Sequence, residues 1–421
     1  MVDEKNLKVL LIAYAYPPLW EAQSVRWYYL SKELAKSGIQ IDVLTVSYPG
    51  EIENLPGIKV YRTFPGPFNK IVFKAISNPS VFSAKIRRSS KFFIAKKLYR
   101  IIRKFLEYLM LGDTRNEWFF IGYSKALKLI KENNYDFLIT SHEPIVDTLL
   151  GLALKNKTKI RWIADLADPI SADYYPSFWR PILKKIEKET LKKADLIIVT
   201  NEALKKKYEK IANSVEKILV VTQGFDLDFF KSYKKTNENQ KFTLAYTGSF
   251  YKEFRNPEEL IKALKRLDFD FELRLAGRLE NFLPHFKGIK KKVNYLGVLS
   301  HKKVLEVQVT SDVLIYLGNK LEDQVPGKIF EYFGSKRPIL CIIQNEKDPM
   351  AKTVKALGVG EVCLNEEEEI YKALNRFYER WINNEIDSVY FYDEGKIKHF
   401  SWQNQAQKFL DFIKKFSKNN F

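Results

Sequence analysis

The chain has 421 residues, which excludes a single small binding module and, at roughly 100 to 200 residues per domain, predicts two or three domains. Hydrophobic residues at 46% and charged residues at 29% exclude a disordered chain and supply enough apolar side chain for full-sized cores. Lys and Arg number 70 against 51 Asp and Glu, and the formal charge of +19 points to an anionic partner: nucleic acid, a phosphorylated ligand or an anionic membrane face.

The elements follow one rhythm from the start. LKVLLIAYAY predicts a buried strand, SVRWYYLSKELAKSG an amphipathic helix closed by Gly38, and IQIDVLTVS a second strand, together a βαβ unit. Its short apolar stretch follows acidic residues and meets two prolines, a pattern of neither a signal peptide nor a membrane span. IKVYRT, a long helical stretch, DFLITS, a helix, RWIADLAD, a helix, DLIIVT, a short helix and KILVVTQG continue the alternation. Runs without polar alternation suit a parallel sheet covered on both faces. After Phe230 the chain turns polar (KSYKKTNENQ). From Phe242 the rhythm restarts with FTLAYTG, FELRLAG, VNYLG, DVLIYLG, PILCII and GEVCL, each but the second followed by a helical pattern or the chain's last elements. FSWQNQAQKFLDFIKKF closes the sequence as a lone amphipathic helix expected to cross a neighbouring surface. Cys341 and Cys363 lie in short apolar runs and are expected as reduced, buried thiols.

The most informative motif is LGNKLEDQVPGKIFEYFGSKRPIL. Pro326 suits the first helical position, where its missing N–H costs nothing, and the free amides of that turn form an anion site. Lys328 adds a charge beside it, and Glu331, on the same helix face, offers a carboxylate to ribose hydroxyls. Asp323 stands in the preceding loop. An ordinary solvated Lys and Glu pair explains the same spacing. Asp226 and Asp228 have a metal-holding spacing that an acidic turn explains better, and His142, His285, His301 and His399 show no metal-ligand spacing, so no metal site is expected. Glu366 to Glu369 suit a helix N-terminus.

These segments, in this order, resemble the glycosyltransferases of the GT-B fold, in particular the large retaining family that includes many lipopolysaccharide and exopolysaccharide sugar transferases. YPPLWEAQSVRWYYLSKELAKSGIQIDVLT is similar to that family's first strand, loop and helix, with Glu21, Ala22 and Gln23 where glycines are common. LGDTRNEWFFIGYSKALKLI, DFLITSHEP and WIADLADP follow; the last is similar to a DFRDPW type of segment, with Ala167 and Ile170 in place of Arg and Trp. QGFDLDFF is similar to an NGVD turn, with Gln223 for Asn. AYTGSFYKEFRNPEELIKAL is similar to the opening strand, glycine turn and basic residue of the second half, with Ser249 at a common arginine position. Asp323 to Glu331 is similar to a two-acid motif with seven residues between the acids, Asp replacing the first Glu.

The resemblance implies an α/β, GT-B architecture of two doubly wound Rossmann-like domains facing across a cleft: 1–230 on the acceptor side, a linker at 231–241, 242–395 binding the nucleotide sugar, and a C-terminal helix in 396–421 crossing between them. It further implies a metal-independent hexosyltransferase without a cofactor, taking a UDP- or GDP-sugar as donor and a glycan or lipid-linked acceptor, in cell-surface polysaccharide synthesis. Arg255, Lys328 and Asp323 are its expected catalytic residues, and Gly248, Arg278, Pro326, Gly327 and Glu331 its donor-binding set. Gln23, Ser24, Arg26, His142, Asp165 and Asp168 are expected on the acceptor side, on their positions at predicted strand ends.

Residues 66–110 carry eleven Lys or Arg (70, 74, 85, 87, 88, 91, 96, 97, 100, 103, 104) against one acid, Glu107, so +10 of the +19 is local. From Lys91 a helical period puts Ile94, Leu98, Ile101, Ile102, Phe105 and Leu109 on one face, with Lys97, Arg100 and Lys104 off it. Such a helix suits anionic headgroups, which would hold the protein peripherally on the inner, cytoplasmic face of a membrane. A helix packed on its own domain with solvated lysines has the same pattern. Two further readings compete with a sugar transferase: a nucleic-acid-binding protein using this segment, disfavoured because no recognisable nucleic-acid motif is present, and a nucleotide-sugar epimerase of the same architecture.

Overall fold

A computed structural model describes residues 7–419 apart from 52, 78–89, 174, 213, 234–238, 322 and 391, with backbone alone for 76–77, 90–96 and 418–419. Lys85, Arg87 and Arg88 of the basic segment therefore lie outside the described residues. The chain divides into two compact units, Met1–Val221 with Ala406–Phe421, and Thr222–Gln405. The polar stretch 231–241 lies within the span of the second unit, and its residues 234–238 are among those not described.

The first unit holds the strands β1 (Lys8–Ile12), β2 (Gln40–Val46), β3 (Ile58–Thr63), β4 (Phe137–His142), β5 (Trp162–Leu166), β6 (Leu196–Val199) and β7 (Ile218–Val220). They form one sheet in the order β3-β2-β1-β4-β5-β6-β7, with every neighbouring pair parallel. Helices α1 (Ala22–Lys36), α2 (Pro67–Ser77), α3 (Ser90–Leu109), α4 (Phe119–Glu132), α5 (Ile145–Thr158), α6 (Arg180–Lys193) and α7 (Glu202–Ala212) connect them. Successive strand residues point to opposite faces, and both faces of the inner strands β1, β4, β5 and β6 are covered, which is why those strands are buried along nearly their whole length. Leu10 and Ile12 join a core with Leu44, Leu138 and Ala164. Val9 and Leu11 belong to the other face, shared with Trp27 and Leu34 of α1 and with Phe409, Leu410 and Ile413 near the C-terminus.

The second unit opens with the short α8 (Leu227–Ser232), capped by Asp226, whose carboxylate accepts from the amides of Asp228 and Phe229. The Asp226 and Asp228 pair is thus a helix cap. Strands β8 (Phe242–Thr247), β9 (Phe271–Ala276), β10 (Val293–Gly297), β11 (Val313–Leu317), β12 (Ile339–Ile343) and β13 (Gly360–Leu364) form a parallel sheet in the order β10-β9-β8-β11-β12-β13. Its helices are α9 (Glu258–Arg266), α10 (His301–Val309), α11 (Lys328–Ser335), α12 (Pro349–Leu357), α13 (Glu367–Ile382), α14 (Ile386–Val389) and α15 (Glu394–Lys398). Two cores sandwich the sheet. Leu244, Tyr246, Ile315 and Ile342 enter one, and their sequence neighbours Ala245, Leu314, Tyr316 and Cys341 enter the other. Glu366 precedes α13 with Glu367, Glu368 and Glu369 in its first turn, as the glutamate run predicts.

The last helix, α16 (Trp402–Asn419), counts with the second unit through Gln405 and with the first from Ala406. Its Phe409 meets Trp27 edge-on with ring centroids 6.2 Å apart. In each sheet the strand order reverses once, between β1 and β4 and between β8 and β11. The carboxyl ends of strands at such a point are where open parallel sheets receive ligands.

Candidate active site

At the reversal point of the second sheet, the loop after β8 meets the loop after β9. Gly277 has φ of +139°, and a Cβ there would lie 1.8 Å from the carbonyl oxygen of Gly248, itself at φ of +147°. Only glycine permits this approach. Arg278 follows, exposed, at the end of β9.

Arg255 closes the loop after β8, where its amide donates 2.7 Å to the Tyr251 carbonyl. Its Nε and Nη2 donate to Oδ1 of Asn319 at 3.0 and 2.9 Å, and its Nη1 to the Ser249 carbonyl at 3.4 Å. Asn319 belongs to the loop after β11 and donates from Nδ2 to the Gln324 carbonyl at 3.0 Å. Both oxygens that receive the guanidinium, the Asn319 amide and the Ser249 carbonyl, are neutral, so its charge is oriented without being cancelled by them. Asp323 lies partly buried in that same loop.

Helix α11 begins at Lys328, and Pro326 precedes it instead of occupying its first position. The bonds from Ile329 to the Pro326 carbonyl (3.3 Å) and from Phe330 to the Gly327 carbonyl (3.2 Å) span three residues and tighten the entry to the helix. Glu331, 6% exposed, points into the unit. Its Oε1 receives Nε2 of His301 at 2.8 Å, and its Oε2 receives Nε2 of Gln308 at 2.9 Å and Nζ of Lys328 at 3.2 Å. Gln308 also donates to the Thr247 hydroxyl at 3.1 Å, which tops β8. Burial by itself would raise the Glu331 pKa; Lys328, His301 and Gln308 more than offset it and hold the carboxyl far below the usual glutamate range. The carboxylate is therefore ionised and rigidly aimed.

The first sheet presents a different chemistry. Arg26 and Asp165, both fully buried, make a fork through Nε (2.8 Å) and Nη2 (3.0 Å), and Trp27 Nε1 donates to the same carboxylate at 2.8 Å. Gln23 and Ser24 in the first turn of α1 are buried, with Oε1 and Oγ lacking a hydrogen-bond partner. His142 ends β4 fully buried, its Nδ1 3.2 Å from the Thr148 hydroxyl and its Nε2 unpartnered. Burial lowers its pKa. Asp168 is partly exposed just beyond β5. Close to these stand groups that motif reading left unassigned: Arg115 pairs with Asp113 (2.7 Å) and Glu21 (3.4 Å), and Tyr175 donates to Glu143 at 3.0 Å. Among the described residues no group of three or more His, Cys, Asp or Glu is arranged to hold a metal ion. A cavity of 630 Å³ lined by Thr243, Glu272, Arg274, Lys292 and Asn294 opens at the amino ends of β8 to β10, away from the ligand edge.

Among the described residues no side chain of α3 belongs to the core of the first unit. Of the apolar face of α3, Leu98, Ile101, Ile102, Phe105 and Leu109 are 43 to 60% exposed, the side chain of Ile94 lies outside the described residues, and Lys97, Arg100 and Lys104 are exposed too. Tyr108 packs on Phe178, itself 51% exposed, with centroids 5.1 Å apart. Among the described residues no helix is long and apolar enough to cross a membrane.

Of the unforeseen donor-side groups, His301 and Gln308 had a signal: they stand seven residues apart on α10 and share a face. Asn319 had none.

The fold places the chain among proteins of the GT-B architecture. Sucrose-phosphate synthase from Thermosynechococcus elongatus superposes with a TM-score of 0.70 at 14% identity, covering 98% of this chain and 100% of that one. Anabaena Alr3699/HepE, solved with UDP and glucose, gives 0.66 at 12% identity over 97% of this chain and 100% of its own. WaaG, a glycosyltransferase involved in lipopolysaccharide biosynthesis, gives 0.63 at 13% identity over 96% and 99%. Residues 23–229 match the model of Glycosyltransferase Family 4. No curated protein sequence matches the chain.

Proposed function

We propose that this protein is a metal-independent, retaining glycosyltransferase that moves a hexosyl group from a nucleoside diphosphate sugar to an acceptor. The observation that carries this reading is the presence, at one sheet reversal, of a buried ionised carboxylate and an arginine whose guanidinium donates to two neutral oxygens. In it Glu331 accepts the ribose hydroxyls, while Arg255 and Lys328 hold the diphosphate, with Arg278 contributing from the neighbouring strand end. As the sugar departs, negative charge grows on the diphosphate, and cations fixed beforehand stabilise that charge more than they stabilise the bound donor. Asp323 and the amides after Gly248 and Gly327 complete the donor side. UDP is the first candidate nucleotide, since the structurally similar HepE was solved with it.

The acceptor binds the first unit near Gln23, Ser24, His142 and Asp168, with the Arg26 and Asp165 pair holding α1 in place. The exposed apolar and basic face of α3 supports a lipid-linked acceptor and peripheral attachment to an anionic, cytoplasmic membrane face, in the synthesis of a cell-surface glycan.

Calorimetry against UDP, GDP and TDP, followed by turnover with a nucleotide-sugar panel, tests the donor assignment. Arg255→Ala should lower kcat/KM by about 100- to 1,000-fold, the scale of removing one transition-state donor. Unchanged binding and turnover in Arg255→Ala, Lys328→Ala and Glu331→Ala would refute the assignment, and free epimerised nucleotide sugar without an acceptor would favour an epimerase.

A further inference from the structure

His301 has no part in the reading above, yet it makes the shortest contact to Glu331. It is the first residue of α10, thirty positions before Glu331 in sequence, and its side chain is 12% exposed. A carboxylate oxygen can only accept, so Nε2 of His301 carries the proton and donates across 2.8 Å. Three residues share the Glu331 carboxylate. Lys328 is the loosest of them, at 3.2 Å from Oε2 and 3.5 Å from Oε1, and its side chain is 35% exposed. The other two are fixed: Gln308 is fully buried and bridges Glu331 to Thr247, and His301 is set by the start of α10.

This difference matters if Lys328 turns to the diphosphate. The ammonium then leaves Glu331, and a buried carboxylate needs its remaining donors to keep its orientation and charge. The departure frees acceptor capacity on Oε2, the oxygen Lys328 shares with Gln308, while Oε1 stays tied to His301. We infer that His301 is a positioning residue of the donor site: it pins Oε1 of Glu331 so that Oε2 is presented to the ribose hydroxyls of the nucleotide once Lys328 has moved to phosphate. The inference rests on the proposed role of Glu331 and adds to it a residue that touches no substrate atom.

Four variants test it: His301→Gln, whose amide nitrogen can reach the place of Nε2; His301→Asn, one methylene too short; His301→Phe, which keeps the bulk without a donor; and Glu331→Ala. Each is checked for folding by circular dichroism and then titrated with whichever of UDP, GDP and TDP binds the native protein most tightly. Loss of a hydrogen bond to a charged group predicts that the Phe and Asn variants bind this nucleotide roughly 10- to 100-fold more weakly, while Gln restores most of the affinity. With the matching nucleotide sugar, the Phe and Asn variants should raise KM and leave kcat close to native, because the ribose contact is made equally in ground and transition states. Native affinity in the Asn variant, or an equal loss in Gln and Asn, overturns the inference while Glu331→Ala still loses the nucleotide. Undiminished binding in Glu331→Ala overturns the assignment of Glu331 itself, and this inference with it.

Discussion

Arg26 and Asp165 stand 139 positions apart in sequence, yet Nε of the arginine lies 2.8 Å from Oδ2 of the aspartate and neither side chain is exposed at all. The pair ties α1 to β5 of the first sheet. Charges removed this fully from water are tolerable only together, and deleting one leaves the other uncompensated.

The first prediction concerns this pair. Arg26→Met and Asp165→Leu should each cost about 3 to 5 kcal/mol in urea unfolding, and the double replacement should cost much less than their sum. Asp168→Asn, at a partly exposed position just beyond the strand that carries Asp165, should instead lower sugar transfer more than donor hydrolysis. Equal effects on both activities would mark Asp168 as structural.

The second follows from the depressed pKa of Glu331. Its ordinary value is 4.5, and the folded protein holds it far lower. The unfolded chain therefore binds the proton more readily, and stability rises with pH through this range. The contribution is fully present above about pH 4.5 and is lost progressively as pH falls toward the folded value. Glu331→Gln should flatten this acid limb in urea midpoints measured from pH 7 downward, leaving the slope above pH 6 unchanged.

A third prediction addresses α3. Basic residues near an anionic surface contribute roughly 1 kcal/mol each, and exposed apolar side chains add burial in the headgroup region. The protein should float with phosphatidylglycerol vesicles at low salt, release at high salt, and lose flotation in Ile101→Glu/Phe105→Glu. No flotation at low salt would sink the membrane reading. Tight binding of RNA or duplex DNA in a parallel gel shift, without affinity for any nucleotide sugar, would move the protein to the nucleic-acid class.

How much of this was legible beforehand depends on how local each signal is. Strands such as FTLAYTG and PILCII are continuous apolar runs because both sheet faces are covered, and that requirement is written in consecutive residues. Lys328 and Glu331 could be placed on one face because a helix brings residues three apart together wherever it lies. The fold class and the candidate donor helix were therefore open to sequence reasoning. Pro326 shows the limit even there: its place before the helix depends on the tight turn at Gly327, which spacing does not reveal.

The tertiary structure decided what consecutive residues could not. His301 reaches Glu331 and Asn319 reaches Arg255 only because the strand order puts β11 beside β8, so loops far apart in sequence converge at one edge. The period of α3 announced an amphipathic helix in the sequence, but a 3.6-residue period is the same whether the apolar stripe meets its own core or faces outward. Only the packed chain, with Ile101 and Phe105 left exposed, separated those cases. Local periodicity fixes which residues share a face; what that face meets is set by the order in which the sheets assemble.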